Sequence, residues 1–186
     1  MNEAEQVICA RQGDQAAWLV LVRQHQTAVF RFAYLLVGDR DDAADVAQEA
    51  FIRAFRALDR FDPERPLRPW LLQIAKNLAA NQRRSLRRQM AALSRWWQAT
   101  PHSAASEQNS TQQETAELLW QALRRLKTTD QEVIYLRYFL ELSGAETAAA
   151  LNIAEGTVKS RLARALVQLR GIVEREFPTL REEVGV

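Results

Sequence analysis

Apolar residues recur every three or four positions along much of this 186-residue chain, which is the spacing of one face of an α-helix. The first such stripe consists of Trp18, Leu19, Val22, Val29, Phe30, Ala33 and Leu36. Glycine and proline are scarce, at 6 and 5 residues, and runs of β-branched residues are short. Because a sheet needs such runs and the turns between them, we predict an all-α fold.

Three long helices are predicted in the first half of the chain. Gly38 ends the first stripe, and the residues from Asp39 to Asp42 offer caps for the second helix. The apolar stripe of the second helix consists of Ala44, Ala47, Phe51, Ala54, Phe55 and Leu58. Three prolines at positions 63, 66 and 69 then break the chain into a loop. The third helix is predicted from about Leu67 or Trp70 to the region of Met90.

A change in composition divides the chain. Residues 99–113 are mainly Ser, Thr, Gln, Asn and Ala, which bury too little apolar area to offset the entropy of ordering. We therefore expect two small helical domains joined by a flexible linker, the second domain containing a helix-turn-helix. The predicted boundaries are an N-terminal domain over 1–97, a linker over 98–116, a C-terminal domain over 117–175 and a tail over 176–186.

The helix-turn-helix is predicted near the end of the second domain. Its first helix lies between Ser143 and Asn152, which tolerates a left-handed turn, and its second helix begins at Glu155. A helix pair of this kind also serves as a plain packing unit, but no acidic residue follows Glu155 as far as Arg170. We place Val158, Leu162 and Leu166 on the core side of the second helix. The side chains that would face a DNA groove are Thr157, Lys159, Ser160, Ala163 and Arg164.

A second acid-free stretch runs from Arg65 to Ser106. Its arginine run at 83–88 fits a solvated helix end. Upstream, however, one helix face presents an aromatic ring, amides and a cation at three-to-four spacing: Trp70, Gln73, Asn77, Asn81 and Arg84. An aromatic side chain stacked on an unpaired base contributes about 1–3 kcal/mol, and amides bond exposed base edges. This face therefore favours single-stranded DNA, although Trp70 taken alone fits a core position equally well.

An acidic face occurs on the predicted second helix, formed by Asp42, Asp45, Gln48 and Glu49. Such a face is usually just a solvated surface. Beside two basic surfaces a protein partner is the better functional interpretation, because the acidic groups repel DNA.

Several other functions are disfavoured. His25, His102 and the single Cys9 have no companions at metal-ligand spacing, and one cysteine excludes an intrachain disulfide. Phosphate-binding glycine loops, nucleophile elbows and paired carboxylates are absent, so we expect no metal, no cofactor and no enzymatic activity. No apolar run approaches the roughly 20 residues that span a bilayer, and no signal-peptide core is present. We expect a cytoplasmic protein without membrane insertion.

Three stretches together carry a family resemblance. They are residues 41–51 with 53–55, residues 68–78, and residues 130–170, which include the run Glu155-Gly156-Thr157-Val158-Lys159-Ser160-Arg161. In this order and at this separation, they resemble bacterial RNA polymerase sigma factors of the extracytoplasmic-function (ECF) group.

The resemblance implies a mechanism in transcription initiation. The first domain would dock on core RNA polymerase through Asp42, Asp45, Gln48, Glu49 and Arg53. Its last helix and the loop 62–69 would hold the −10 promoter element as a separated strand, with a flipped base trapped by Trp70, Asn77 and Asn81. The second domain would read the −35 element as duplex, and the linker would run toward the polymerase cleft. Many relatives are held inactive by an anti-sigma protein, which the resemblance adds as an expected partner.

Two other functional classes remain open from the residues alone. One is an ordinary helix-turn-helix regulator whose first half senses a signal or dimerises. The other is a protein-interaction adaptor whose helices merely resemble DNA readers. Run-off transcription with core polymerase distinguishes them, since a regulator binds duplex without polymerase.

Overall fold

Every regular element in the described part of the chain is helical, which confirms the predicted all-α class. The computed structural model describes residues 1–93 and 111–177, with the backbone alone for 84–93 and 111–114. The elements are α1 (Glu3–Arg11), α2 (Gln15–Val37), α3 (Arg40–Ala57), a 3-10 turn (Leu58–Arg60), α4 (Leu67–Leu93), α5 (Thr111–Arg125), α6 (Thr128–Ile134), a π-helical stretch (Tyr135–Phe139), α7 (Gly144–Leu151) and α8 (Glu155–Glu176).

The break between α2 and α3 forms as its residues predict. Gly38 adopts a left-handed conformation, with φ 83°, and its N–H donates to the carbonyl of Tyr34 at 2.8 Å. The carboxylate of Asp39 then accepts from the N–H groups of Asp41 and Asp42, which caps the start of α3. The two helices therefore turn back on each other within three residues and pack side by side.

Helices α2, α3 and α4 enclose the core of the first domain. Small residues line the buried side of α3, namely Ala43, Val46, Ala47, Ala50 and Ala54. The predicted stripe is wrong at two positions, because Ala44 is exposed and the side chain of Phe55 is 48% exposed. Alanines let α3 approach its neighbours closely, so the larger ring of Phe55 is left outside that contact.

The second domain consists of α5 to α8 with the π-helical stretch. Its first helix begins at Thr111, inside the segment predicted as linker. Helix α6 begins at Thr128, and the sequence did not predict the π-helical stretch that continues it. The rest of the predicted linker, the 97/98 boundary and the tail beyond 177 lie outside the described residues.

Candidate nucleic-acid and protein interfaces

The predicted helix-turn-helix is formed by α7 and α8. Ser143 caps α7 by accepting from the N–H of Glu146, whose carboxylate accepts from the N–H of Ser143 in return. Hydrogen bonds from the backbone N–H and from the side chain of Ser143 to the carboxylate of Glu146 lower the pKa of Glu146. At the other end Asn152 takes the predicted left-handed conformation, with φ 55°. The turn thus fixes where α8 begins relative to α7.

One side of α8 presents the predicted groove-facing residues to solvent. Lys159, Ser160, Ala163 and Arg164 are exposed and Thr157 is half-buried. Hydrogen bonds within the helix order this face, since Nε of Arg164 donates to the carbonyl of Ser160 at 3.3 Å. The arrangement matches a helix that can lie in a major groove.

The buried side of α8 differs from the prediction at one position. Val158 is buried and Leu162 half-buried, but Leu166 is 36% exposed, and Ala165 is buried in its place. Val158, Ala165 and Ile172 are buried at seven-residue intervals, which keeps one narrow stripe against the domain. Leu166 lies one position, or about 100°, away from that stripe.

The predicted single-strand face lies along α4. Asn77 and Asn81 are exposed, whereas Trp70 and Gln73 are half-buried. The ring of Trp70 packs on Phe61 at a centroid distance of 4.6 Å. Trp70 is therefore partly a packing residue and partly accessible, and the side chain of Arg84 lies outside the described residues.

A groove of about 690 Å³ lies between this face and the second domain. One wall carries Phe61, Trp70 and Gln73, and the other carries Ala149 and Asn152 of the helix-turn-helix.

Two cations of α4 join the domains. The guanidinium of Arg68 donates through Nη2 to the carbonyl of Leu140 at 2.8 Å, and Lys76 donates to the carbonyl of Leu151 at 3.1 Å.

A carboxyl group of the second domain lies beside cations from both domains. Glu132 of α6 and two α4 residues, Lys76 and Arg83, line a cavity of about 220 Å³. Burial raises the pKa of Glu132, and the positive charges of Lys76, Arg83 and Arg161 partly oppose that rise. In this arrangement, basic residues of α4 and α8 surround a carboxyl group of their own chain.

The predicted acidic face lies on the outer side of α3. Asp45 and Gln48 are exposed, and Glu49 forms an ion pair with Arg53 at 2.7 Å. Asp42 has a second role, because its carboxylate accepts from Nε2 of Gln82 on α4 at 2.6 Å. The structure therefore brings all five predicted residues to one helix, with Asp42 also holding α3 to α4.

An apolar groove of about 1000 Å³ beside this face was missed by the sequence analysis. It lies between α2 and α3, and Leu19 (52% exposed), Ile52 and Phe55 are open to solvent there. Gln48 belongs both to the groove and to the acidic face. Leu19 and Phe55 belong to the two apolar stripes of the sequence, but helical period does not show whether a partner within the chain covers each residue.

Two family models match the chain: Sigma-70 region 2 over residues 21–89, and Sigma-70, region 4 over residues 109–169. The ECF RNA polymerase sigma factor SigW of Bacillus subtilis is 32% identical over 169 residues, covering 86% of this chain and 90% of SigW. SigL of Mycobacterium tuberculosis, another ECF sigma factor, is 35% identical over 166 residues, covering 87% and 91%. The chain belongs to the ECF sigma factors.

Solved relatives share the fold of this sigma factor. CnrH in complex with the cytosolic domain of CnrY superposes with a TM-score of 0.70 at 29% identity, covering 94% of this chain and 98% of CnrH. RpoE from Bartonella quintana, solved with the anti-sigma factor NepR, superposes with a TM-score of 0.64 at 24% identity, covering 83% and 95%. The family matches begin at residue 21, so α1 of this sigma factor precedes both of them.

Two further properties concern the described residues of this sigma factor. None of its helices there is long and apolar enough to cross a membrane. Within the same residues, no three His, Cys, Asp or Glu side chains lie close enough together to hold a metal ion.

Proposed function

We propose that this sigma factor binds core RNA polymerase and directs promoter-specific initiation by contacting the promoter at two separate places. The observation that carries the proposal is the pair of polar helix faces, one on α4 and one on α8, each in a different sigma domain. One face suits an unpaired strand and the other suits duplex.

The −35 element is read as duplex by α8. Lys159 and Arg164 are cations able to bond guanine edges or phosphates, and Thr157 and Ser160 add hydroxyl groups. Ala163 leaves room for the helix to approach the bases. The support for this assignment is the exposure of Lys159, Ser160 and Arg164 along one side of a helix that follows the left-handed turn at Asn152.

The −10 element is held as a separated strand by α4. Asn77 and Asn81 offer amides to base edges, Gln73 extends the same face, and Arg84 is proposed with them from its position in the sequence. Unstacking a base costs a few kcal/mol, so a surface that binds only the extruded base favours the open promoter. The accessible part of Trp70 lies in the groove formed with the loop, where it supplies a stacking surface.

Core polymerase docks on the outer side of α3. The charged and amide groups of Asp42, Asp45, Gln48, Glu49 and Arg53 give this surface electrostatic specificity. The adjoining apolar groove between α2 and α3 supplies apolar surface that is buried on binding, which the charged residues do not provide. A continuous polar and apolar surface of this kind is typical of a protein interface.

The two domains must separate before both promoter elements are bound. Elements centred about 25 base pairs apart lie about 85 Å apart on B-DNA, at about 3.4 Å per base pair. In this structure α4 and α7 touch, with Lys76 and Leu151 joined directly. We therefore assign this arrangement to the sigma factor before promoter engagement.

An anti-sigma protein is the proposed regulatory partner. CnrH is bound by the cytosolic domain of CnrY, and RpoE of Bartonella quintana by the anti-sigma factor NepR. The likeness to CnrH extends over both domains, which supports a partner that contacts this chain in the same way.

Transcription reconstituted from purified chain and core polymerase tests the proposal. We expect transcripts whose start sites share a −35 and a −10 element, found by sequencing RNA 5′ ends made on genomic DNA. Absence of any promoter-specific transcript would exclude a sigma function. Tight duplex binding by a dimer without polymerase would instead identify an ordinary helix-turn-helix regulator.

A further inference from the structure

Helix α1 contacts both ends of the segment that leads into α4. The segment, residues 58–67, starts at the 3-10 turn and contains the proline-bounded loop beside Trp70. Because α1 precedes the residues matched by the region 2 family model, that match assigns it no role.

At one end of the segment, Glu3 bonds two groups that are distant in sequence. Its Oε2 accepts from the backbone N–H of Leu67 at 2.9 Å, and its Oε1 lies 2.9 Å from Nε2 of His25 on α2. Leu67 is the first residue of α4, where backbone N–H groups have no partner within the helix. A carboxylate at this point satisfies one of them and complements the helix dipole.

At the other end of the segment, Arg11 forms the corresponding hydrogen bond. Its Nε donates to the carbonyl of Leu58 at 2.9 Å, where α3 passes into the 3-10 turn. A cation is favoured at this position because carbonyls at the end of a helix lack partners. One rigid helix therefore holds the first and last residues of a ten-residue segment.

The residues between these two points form one wall of the groove beside α4. Phe61 is buried against the ring of Trp70, so a shift of the segment displaces the accessible side of that ring. We propose that Glu3 and Arg11 are positioning residues that hold the segment 58–67 in the shape that receives the unpaired −10 strand. This inference rests on the proposed function of α4.

The test compares binding of polymerase holoenzyme, assembled with each full-length variant, to two DNA probes. One is a fork template with a single-stranded −10 element, and the other is a duplex with the −35 element alone. For Glu3→Ala and Arg11→Ala we expect fork affinity to fall about tenfold, the loss expected when a charge-assisted hydrogen bond is removed. Affinity for core polymerase and for the −35 duplex should stay unchanged.

A conservative variant separates positioning from folding. In Glu3→Gln an amide oxygen still accepts from the N–H of Leu67, so fork affinity should return to within about threefold of wild type. Glu5→Ala is the matched control, because Glu5 lies on the same helix, is exposed and contacts Asn2 and the terminal amine of Met1 rather than the segment 58–67. All assays are run well below the unfolding temperature of each variant.

Three outcomes are possible for the alanine variants. A selective loss of fork affinity with rescue by Glu3→Gln supports the inference. Unchanged fork affinity, with or without a lowered unfolding temperature, or an equal loss on both probes and on core polymerase, overturns it. Failure of the wild-type holoenzyme to bind the fork would instead refute the proposed function itself.

Discussion

Lys76 of α4 bonds the carbonyl of Leu151, the last residue of α7, across 3.1 Å and so joins the two domains. The ammonium lies where the dipole of α7 favours a cation. Arg68, eight residues earlier on α4, bonds Leu140 of the same domain at 2.8 Å. Both cations belong to the acid-free stretch that carries the candidate −10 face, so the contact between domains uses the same helix as that face.

Removing the side chains of Arg68 and Lys76 should allow the two domains to separate. In the double variant Arg68→Ala with Lys76→Ala, the arrangement with the two domains in contact loses two charge-assisted hydrogen bonds. Each of these bonds contributes about 1.5–3 kcal/mol. We expect a larger radius of gyration by small-angle X-ray scattering of the free protein. Arg65→Ala is the control, since Arg65 is an exposed loop residue paired with Asp62. A double variant as compact as wild type would contradict the role of these bonds.

Local signals in the sequence were sufficient to predict the helices around Gly38 and the turn at Asn152. In both places a single residue determines the backbone, because few residues accept a left-handed conformation at low cost. The exposed face of α8 followed from helical period alone. The same period wrongly placed Leu166 on the core side, because packing against the neighbouring helices determines which of two adjacent apolar residues is buried.

Contacts between residues that are distant in sequence could not be predicted from the sequence. Glu3 lies near His25 and Leu67 only after α1, α2 and α4 have packed, and nothing in the local sequence marks Glu3 as more than a first-turn acid. The bond from Lys76 to Leu151 likewise depends on how the domains meet. The exposure of Phe55 was missed because periodicity identifies an apolar face without showing whether a partner within the chain covers it.

The stability of the protein should depend on His25 in mildly acidic solution. Burial lowers the pKa of His25 below its ordinary value of 6.5, although Glu3 partly opposes this effect. A base with a lowered folded-state pKa stabilises the fold above pH 6.5, and this contribution is lost as the pH falls toward the folded-state pKa.

Denaturant unfolding of wild type and His25→Gln between pH 7.5 and 5 measures this contribution. Relative to the variant, wild type should lose at most about 1.4 kcal/mol of unfolding free energy per pH unit. The comparison cancels the contributions of Glu132 and Glu146, which are present in both proteins. Parallel pH profiles for the two proteins would show that His25 does not titrate differently on folding.

Duplex recognition should depend on the exposed face of α8. Lys159→Ala and Arg164→Ala should each weaken binding to the −35 duplex by about 1–3 kcal/mol if the side chain contacts a base. A uniform loss on all sequences would identify a phosphate contact instead. Arg170→Ala is the control, because Arg170 lies further along the same helix and pairs with Glu174. Unchanged affinity and sequence preference in both variants would remove this face from the DNA interface.

Polymerase binding should depend on the outer side of α3. Asp45→Arg reverses the charge of an exposed residue and should weaken core polymerase binding at least tenfold, since like charges across an interface cost several kcal/mol. Asp59→Arg, an exposed acid on the 3-10 turn, is the matched control. A competition assay against wild type measures both. Equal binding of the Asp45 variant and wild type would exclude the acidic face.

Transcription from a promoter with a pre-melted −10 region tests the two-contact account most directly. On ordinary duplex template, both Asn77→Ala and Lys159→Ala should reduce initiation, the first by impairing strand capture and the second by impairing duplex binding. A mismatched bubble at the −10 element removes the cost of unstacking, so it should restore Asn77→Ala toward wild type and leave Lys159→Ala defective. Equal rescue of both variants, or rescue of Lys159→Ala alone, would contradict the assignment of the opened strand to α4 and the duplex to α8.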